Sequence, residues 1–185
     1  ARRLGADVEG LLAVGDDLAA AFALPALERA GLPASMLVRL TGHTGSGIGF
    51  TDAAGETCVA VAPGANLALS AEHVLQRARA IAGAALVTAQ FEIGDQPIEA
   101  AFALARQAGV PTLLNPSPFR NIPEAMLALT SILIVNETEA GSLALSLGLG
   151  PDGATEPQRF AAELASRLMT CGPELIVMTR GAAGA

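Results

Sequence analysis

Four apolar runs in the chain are each followed at once by residues able to do chemistry. Gln90, Phe91 and Glu92 follow Ala85–Ala89, and Asn115-Pro116-Ser117-Pro118 follows Thr112–Leu114. Asn136-Glu137-Thr138-Glu139 follows Ile132–Val135, and Thr179-Arg180-Gly181-Ala182-Ala183-Gly184 follows Leu175–Met178. Short apolar runs bounded by turn residues read as parallel strands buried on both faces. In open α/β sheets ligands bind in the crevice outside the carboxyl ends of the strands. The four exits lie at one such edge, and their convergence points to a ligand site more strongly than any single motif. The last exit offers backbone N–H groups with little side chain in the way, a nest suited to phosphate.

Each exit also has a plainer reading. Asn136 with Glu139 three positions later is what a capping box requires, with Asn at the N-cap and Glu at N3. Asn115 before a proline is an ordinary turn residue. Glu92 reads equally well as a solvated loop charge, and a lone Gly-x-x-Gly as a plain loop. At this level both sets of readings stand.

The elements that must position these residues follow from periodicity. Five segments read as strands: Val8–Val14, Ala85–Ala89, Thr112–Leu114, Ile132–Val135 and Leu175–Met178. Helical patterns lie between them at Leu18–Ala30, Ala71–Ala82, Ile98–Ala108, Ala125–Leu129, Glu139–Leu147 and Gln158–Met169. Strands alternating with helices imply crossover units and a doubly wound, mostly parallel α/β sheet flanked by helices. Residues 35–63 break that rhythm with three short alternating stretches and Gly-rich turns, among them a hairpin turn at Asp52-Ala53-Ala54-Gly55. The expected organisation is therefore an α/β core of residues 1–34 and 64–185 with a small antiparallel β insert at 35–63. Such an insert serves as a lid, as a subunit contact or as an edge meander packed on the body.

Composition removes several function classes. The net charge of −7 argues against a nucleic-acid partner, which asks for a basic surface. All 11 basic residues are Arg, so a Walker A Gly-Lys pair does not exist here. With 6 Phe and neither Tyr nor Trp, base-stacking platforms are not expected either. No apolar run approaches the roughly 18 residues that span a bilayer, so no membrane partner is expected and a cytoplasmic location is. Cys58 and Cys171 are far apart and read as buried, reduced thiols. A nicotinamide-binding domain would show G-x-G-x-x-G behind its first strand, and "AVGDDLAAA" does not supply it.

The ordered set "AVGDD", "PGANLALS", "AQFEI", "LNPSPFRNIPE", "ILIVNETEA" and "VMTRGAAG" resembles the ribokinase (PfkB-type carbohydrate kinase) family over nearly the whole chain. The resemblance implies ATP-dependent phosphorylation of the primary hydroxyl of a pentose, D-ribose in the closest relatives, giving ribose 5-phosphate. Carried over position by position, Glu92 matches the acidic residue that binds sugar hydroxyls. Thr44 and Gly45 sit where family lids approach the sugar. Asn136, Thr179, Arg180, Gly181 and Gly184 match nucleotide-binding positions, and Glu139 matches the carboxylate that holds Mg²⁺ through its water shell. The implied partners are a small-molecule sugar, ATP and a second copy of the chain, forming a homodimer through the β lid. The implied cofactors are ATP and Mg²⁺. A monovalent cation such as K⁺ would take ligands beyond Ala185.

The resemblance also sets limits. The family's catalytic base is an Asp in a G-A-G-D segment, and neither that segment nor G-x-G-D occurs in these residues; the base is expected beyond Ala185. The family's first strand, with its sugar-binding Asp, and its Gly-Gly segment are expected before Ala1. Gly141 stands where family members commonly carry Glu, at a cost to helix propensity of about 1 kcal/mol. Two expectations follow: a central portion of an active kinase, or a truncated, non-catalytic relative that binds sugar or nucleotide. Either would expose apolar sheet and favour association.

Overall fold

Unbroken Val, Ile and Leu runs stopped by Gly or Pro become parallel strands because only a sheet covered by helices buries both faces of such a run. The computed structural model describes residues 1–55, 57–149 and 157–185. They group into two compact units, Ala1–Ser70 with Glu92–Gly94, and Ala71–Phe91 with Asp95–Ala185.

The second unit holds a four-stranded sheet in sequence order: β5 (Val87–Gln90), β6 (Thr112–Asn115), β7 (Ile132–Asn136) and β8 (Leu175–Thr179). Every neighbouring pair is parallel. The intervening helices are α4 (Asp95–Gln107), α5 (Glu124–Leu129), α6 (Glu137–Ser146) and α7 (Pro157–Met169). Helix α4 buries Ile98, Phe102 and Ala105, spaced four and three apart and therefore on one face. Its start reaches back to Asp95, earlier than the Ile98 expected from periodicity, because Pro97 needs no N–H partner in a first turn. Leu114, Leu133 and Val135 are fully enclosed, whereas Leu175 on the edge strand β8 is half exposed. At the amino ends of β6 and β7, the Ser131 amide donates to Thr112 Oγ1 (2.9 Å) and the Thr112 amide to Ser131 Oγ (3.2 Å). These buried hydroxyls thus reinforce the end of the ladder, where the Ser131 amide also reaches Thr112 O (3.1 Å). The stretch expected as one helix over Ala71–Ala82 is two short ones, α2 (Ala71–Leu75) and α3 (Ala78–Ala82).

In the first unit, β1 (Leu12–Val14) pairs in parallel with β2 (Leu37–Arg39). Of the three alternating stretches expected in 35–63, the first is therefore the parallel partner of β1. The other two, β3 (Ser46–Thr51) and β4 (Thr57–Ala62), form the antiparallel hairpin. Its turn is as anticipated: the Gly55 amide donates to Asp52 O (3.1 Å) and the Ala54 amide to Asp52 Oδ1 (2.8 Å). Helix α1 (Ala23–Arg29) is preceded by a 3₁₀ turn over Leu18–Phe22, which together occupy the predicted helix. Ala13, Ala65 and Leu69 form a small core against which Leu11, Leu40 and Ile93 pack.

Every residue of β3 and β4 is exposed. Cys58 lies on β4 and is exposed with it, and Cys171 is partly exposed, so neither thiol is buried as composition suggested. The burial expected of an average cysteine fails on a hairpin that has nothing packed on either face. No helix among the described residues is long and apolar enough to cross a membrane.

Candidate functional site

The carboxyl edge of the four-stranded sheet is polar at every strand. Register pairs Gln90 with Asn115 and Asn136 with Thr179, so the last residue of each strand stands beside the last of a neighbour. Gln90 Nε2 donates to Asn115 Oδ1 (2.8 Å), and Asn115 Nδ2 donates to Ile134 O (3.0 Å). Asn115 is therefore more than a turn residue: its amide continues the β6–β7 ladder past the last backbone pair. Arg120, in the loop behind β6, lies 3.8 Å over the Phe91 ring, donates to Phe91 O (3.2 Å) and pairs with Asp95. That contact joins the exit of β6 to the exit of β5, and periodicity alone offered no sign of it.

Asn136 and Glu139 form the reciprocal box at the start of α6. The Glu139 amide donates to Asn136 Oδ1 (2.8 Å), and the Asn136 amide donates to Glu139 Oε2 (2.9 Å). Glu139 is buried, and the box leaves its Oε1 unused. Arg180 Nε donates to Glu137 Oε1 (3.1 Å), linking the β8 exit to the first turn of α6; both side chains are substantially exposed, so the pair contributes little to stability. The loop behind Thr179 closes on itself, with the Arg180 amide donating to Gly184 O (2.6 Å) and the Gly184 amide to Gly181 O (3.2 Å). Those amides are turned inward in this conformation.

Whether Mg²⁺ suits these residues can be judged from the donors present. Among the described residues no group of three or more His, Cys, Asp or Glu side chains gathers in one place. A closed protein cage is thus not on offer, but Mg²⁺ does not ask for one. It keeps several waters and is held through one or two carboxylates together with phosphate oxygens. One buried carboxylate, oriented by an amide through one oxygen, fits that mode.

Glu92, Thr44 and Gly45 all belong to the first unit. Glu92 is half-buried and precedes Ile93, which packs on the small core. Thr44 Oγ1 donates to Asp17 Oδ1 (2.6 Å) and accepts from the Gly15 amide (3.0 Å). A Cβ on Gly45 would stand 2.7 Å from Pro63 O, so only glycine fits there. Asp17, which sequence reading quoted within "AVGDD" but gave no role, receives three hydrogen bonds: two from Thr44 and one from the Ala20 amide (3.1 Å). An acidic pair directly behind a strand, with the second Asp capping a helical turn, was the available signal.

The Thr44 hydroxyl, the Thr44 amide, the Ala20 amide and the nearby His43 together hold the Asp17 carboxyl below its ordinary range, against partial burial. His43 Nδ1 lies 3.9 Å from Asp17 Oδ2 but is almost fully exposed, and Asp16 is bonded instead to the Gly42 amide. A depressed folded pKa means stabilisation that is complete above the unfolded value of about 3.9 and disappears as pH falls through the folded value. Urea midpoints should therefore drop more steeply below about pH 4 for the native chain than for D17N, which lacks this titration. Parallel profiles would show that Asp17 carries no linkage.

Known proteins were compared with the whole chain. The family model described as pfkB family carbohydrate kinase matches residues 1–185. Ribokinase of Staphylococcus aureus (strain COL) is 34% identical over 139 residues, which are 75% of this chain and 46% of that protein. Ribokinase of Haemophilus influenzae is 30% identical over 186 residues, taking in 100% of this chain and 58% of the relative. The crystal structure of Sa239 superposes with a TM-score of 0.85 at 29% identity, covering 96% of this chain and 57% of that one. The chain thus spans about half the length of the curated relatives named here. With a polar strand edge, a capped α6 and a family match from the first residue to the last, the chain belongs to the pfkB family of carbohydrate kinases.

Proposed function

We propose that the protein to which this chain belongs transfers the γ-phosphoryl group of ATP to the primary hydroxyl of a pentose, D-ribose foremost, in the cytoplasm. The observation that carries the reading is the polar carboxyl edge, where Asn136 and Thr179 are register partners and Glu139 is oriented by the Asn136 amide. Two relatives named ribokinase at 30% identity or more support the sugar class.

In this reading Asn136, Thr179, Arg180, Gly181 and Gly184 hold the nucleotide. Glu92 receives sugar hydroxyls, and Thr44 and Gly45 belong to the same unit. Phosphoryl transfer is mostly positioning and neutralisation of charge on the phosphoryl oxygens, and Mg²⁺ held near Glu139 supplies neutralisation. Arg180 sits at the same edge, and the inward-turned amides of its loop would have to open to meet phosphate. The insert 35–63 is the lid: a cover that excludes water keeps water from competing as acceptor. Antiparallel register puts Ile48 and Phe50 with Ala60 and Cys58 on one face of the hairpin, and Val59 and Val61 on the other. Both faces are apolar and exposed, which suits one for the sugar side and one for a second copy in a homodimer.

A second reading, binding without turnover, is favoured by the lack of any G-x-G-D segment in these residues. Incubating the chain with ATP, Mg²⁺ and ribose should yield no ribose 5-phosphate, whereas the longer protein carrying it should turn over. Glu92→Ala in the latter should raise the sugar KM by about tenfold or more, as expected for a lost charge-assisted hydrogen bond, with the ATP KM unchanged. Turnover by the chain alone would overturn the assignment of the base elsewhere, and an unchanged sugar KM would remove Glu92 from the site.

A further inference from the structure

We propose that Asp17 is a positioning residue that sets the β3–β4 hairpin and its root loop 42–45 through Thr44, and that the Thr44 hydroxyl serves as a strut and donates no hydrogen bond to the sugar. The proposal rests on reading the first unit as sugar-binding. Both legs of the hairpin are tied at their roots. On the entering leg, the Asp16 amide donates to Gly42 O (3.0 Å) and the Gly42 amide to Asp16 Oδ1 (3.0 Å). Two residues on, the Thr44 amide donates to Asp17 Oδ2 (2.9 Å) and the Thr44 hydroxyl to Asp17 Oδ1 (2.6 Å). The leaving leg joins the same block, since the Ala65 amide donates to His43 O (2.7 Å). There is no slack between the loops: a Cβ on Gly15 would stand 2.1 Å from Gly42 O.

Beyond these roots no described residue of β3 or β4 is buried. All six residues of β3 and all six of β4 are exposed, so neither face is packed on the chain. An isolated two-stranded hairpin is marginal in water. Its direction is therefore decided at the root, where Asp16 takes the Gly42 amide and Asp17 takes both the amide and the hydroxyl of Thr44. The Thr44 hydroxyl has a single proton, and that proton is given to Asp17. It cannot also be donated to a substrate oxygen. With its proton given to Asp17 and one lone pair taken by the Gly15 amide, the donors this loop can present to a sugar are backbone amides, held at a defined place by Asp17.

The test compares D17N, T44V and T44S in the full chain by amide hydrogen exchange and by ribose titration. D17N and T44V should speed exchange at residues 43–46 and 64–66 by about tenfold or more, while T44S, which keeps the hydroxyl, should match the native protein. Amides of 87–90 and 132–136 in the second unit should stay protected in all three, which separates a loosened root from global unfolding. Ribose affinity should fall about tenfold in D17N and T44V and be unchanged in T44S. Unaltered root exchange in both D17N and T44V would overturn the proposal. Loss of ribose affinity in T44V with root exchange intact would make Thr44 a contact and likewise overturn it. If the native chain gave no ribose signal while the root loosened as expected, the sugar reading would fail and the positioning role would stand.

Discussion

Glu139→Ala is expected to cost about 0.5–1.5 kcal/mol of stability and to weaken Mg²⁺-dependent ATP binding about 10–100-fold, whereas Glu139→Gln should cost almost no stability and weaken that binding as much. The separation follows from what the side chain does. Oε2 of the buried Glu139 accepts from the amide of the exposed Asn136, and Ala would remove that partner and leave the cap to water. Gln places an amide oxygen at the same point, so the cap survives. The charge does not survive, and a hard divalent cation held through water would lose the one buried carboxylate found among the described residues. Urea unfolding measures the first effect, and ATP titration with and without Mg²⁺ measures the second. Loss of oriented ligands of this kind typically lowers metal affinity by about 10–100-fold. Native Mg²⁺-dependent binding by E139Q would leave Glu139 as a helix cap alone.

Phe102→Ala should remove about 3–5 kcal/mol, a large share of the roughly 5–15 kcal/mol available to a domain. Phe102 is fully enclosed on the inner face of α4 between Ile98 and Ala105, in the unit that carries the polar strand edge. Truncation leaves a void that close-packed neighbours cannot refill. Ile98→Val, at the adjacent position of the same stripe, should cost only about 0.5–1.5 kcal/mol, which makes the pair an internal scale. Equal, small losses for both would mean that α4 does not hold the sheet. The measurement is the denaturant midpoint at constant slope.

The legibility of the site differed from residue to residue. Asn136 and Glu139 could be placed together from spacing alone, because the reciprocal bonds of a capping box join N-cap and N3. Both readings of that motif survive, since a helix cap can also face a ligand. Thr44 was legible as a position and not as a role: its one proton goes to Asp17, 27 positions away in sequence, and no local pattern announces such a partner. Arg120 over Phe91, 29 positions apart, was invisible for the same reason.

Order, spacing and periodicity determined the alternation of strands and helices, the parallel sheet β5–β8, the hairpin turn at Asp52–Gly55 and the polar exits, because each depends on neighbours within a few residues. Only the tertiary structure decided which strand pairs with which, and so made Leu37–Arg39 the parallel partner of β1 and left both faces of β3–β4 bare. Burial and hydrogen-bond partners are sums over distant segments. That is why Cys58 is exposed against the expectation from its type, and why Asp17, one acidic residue among 18 in the sequence, proves to be the anchor of the hairpin root.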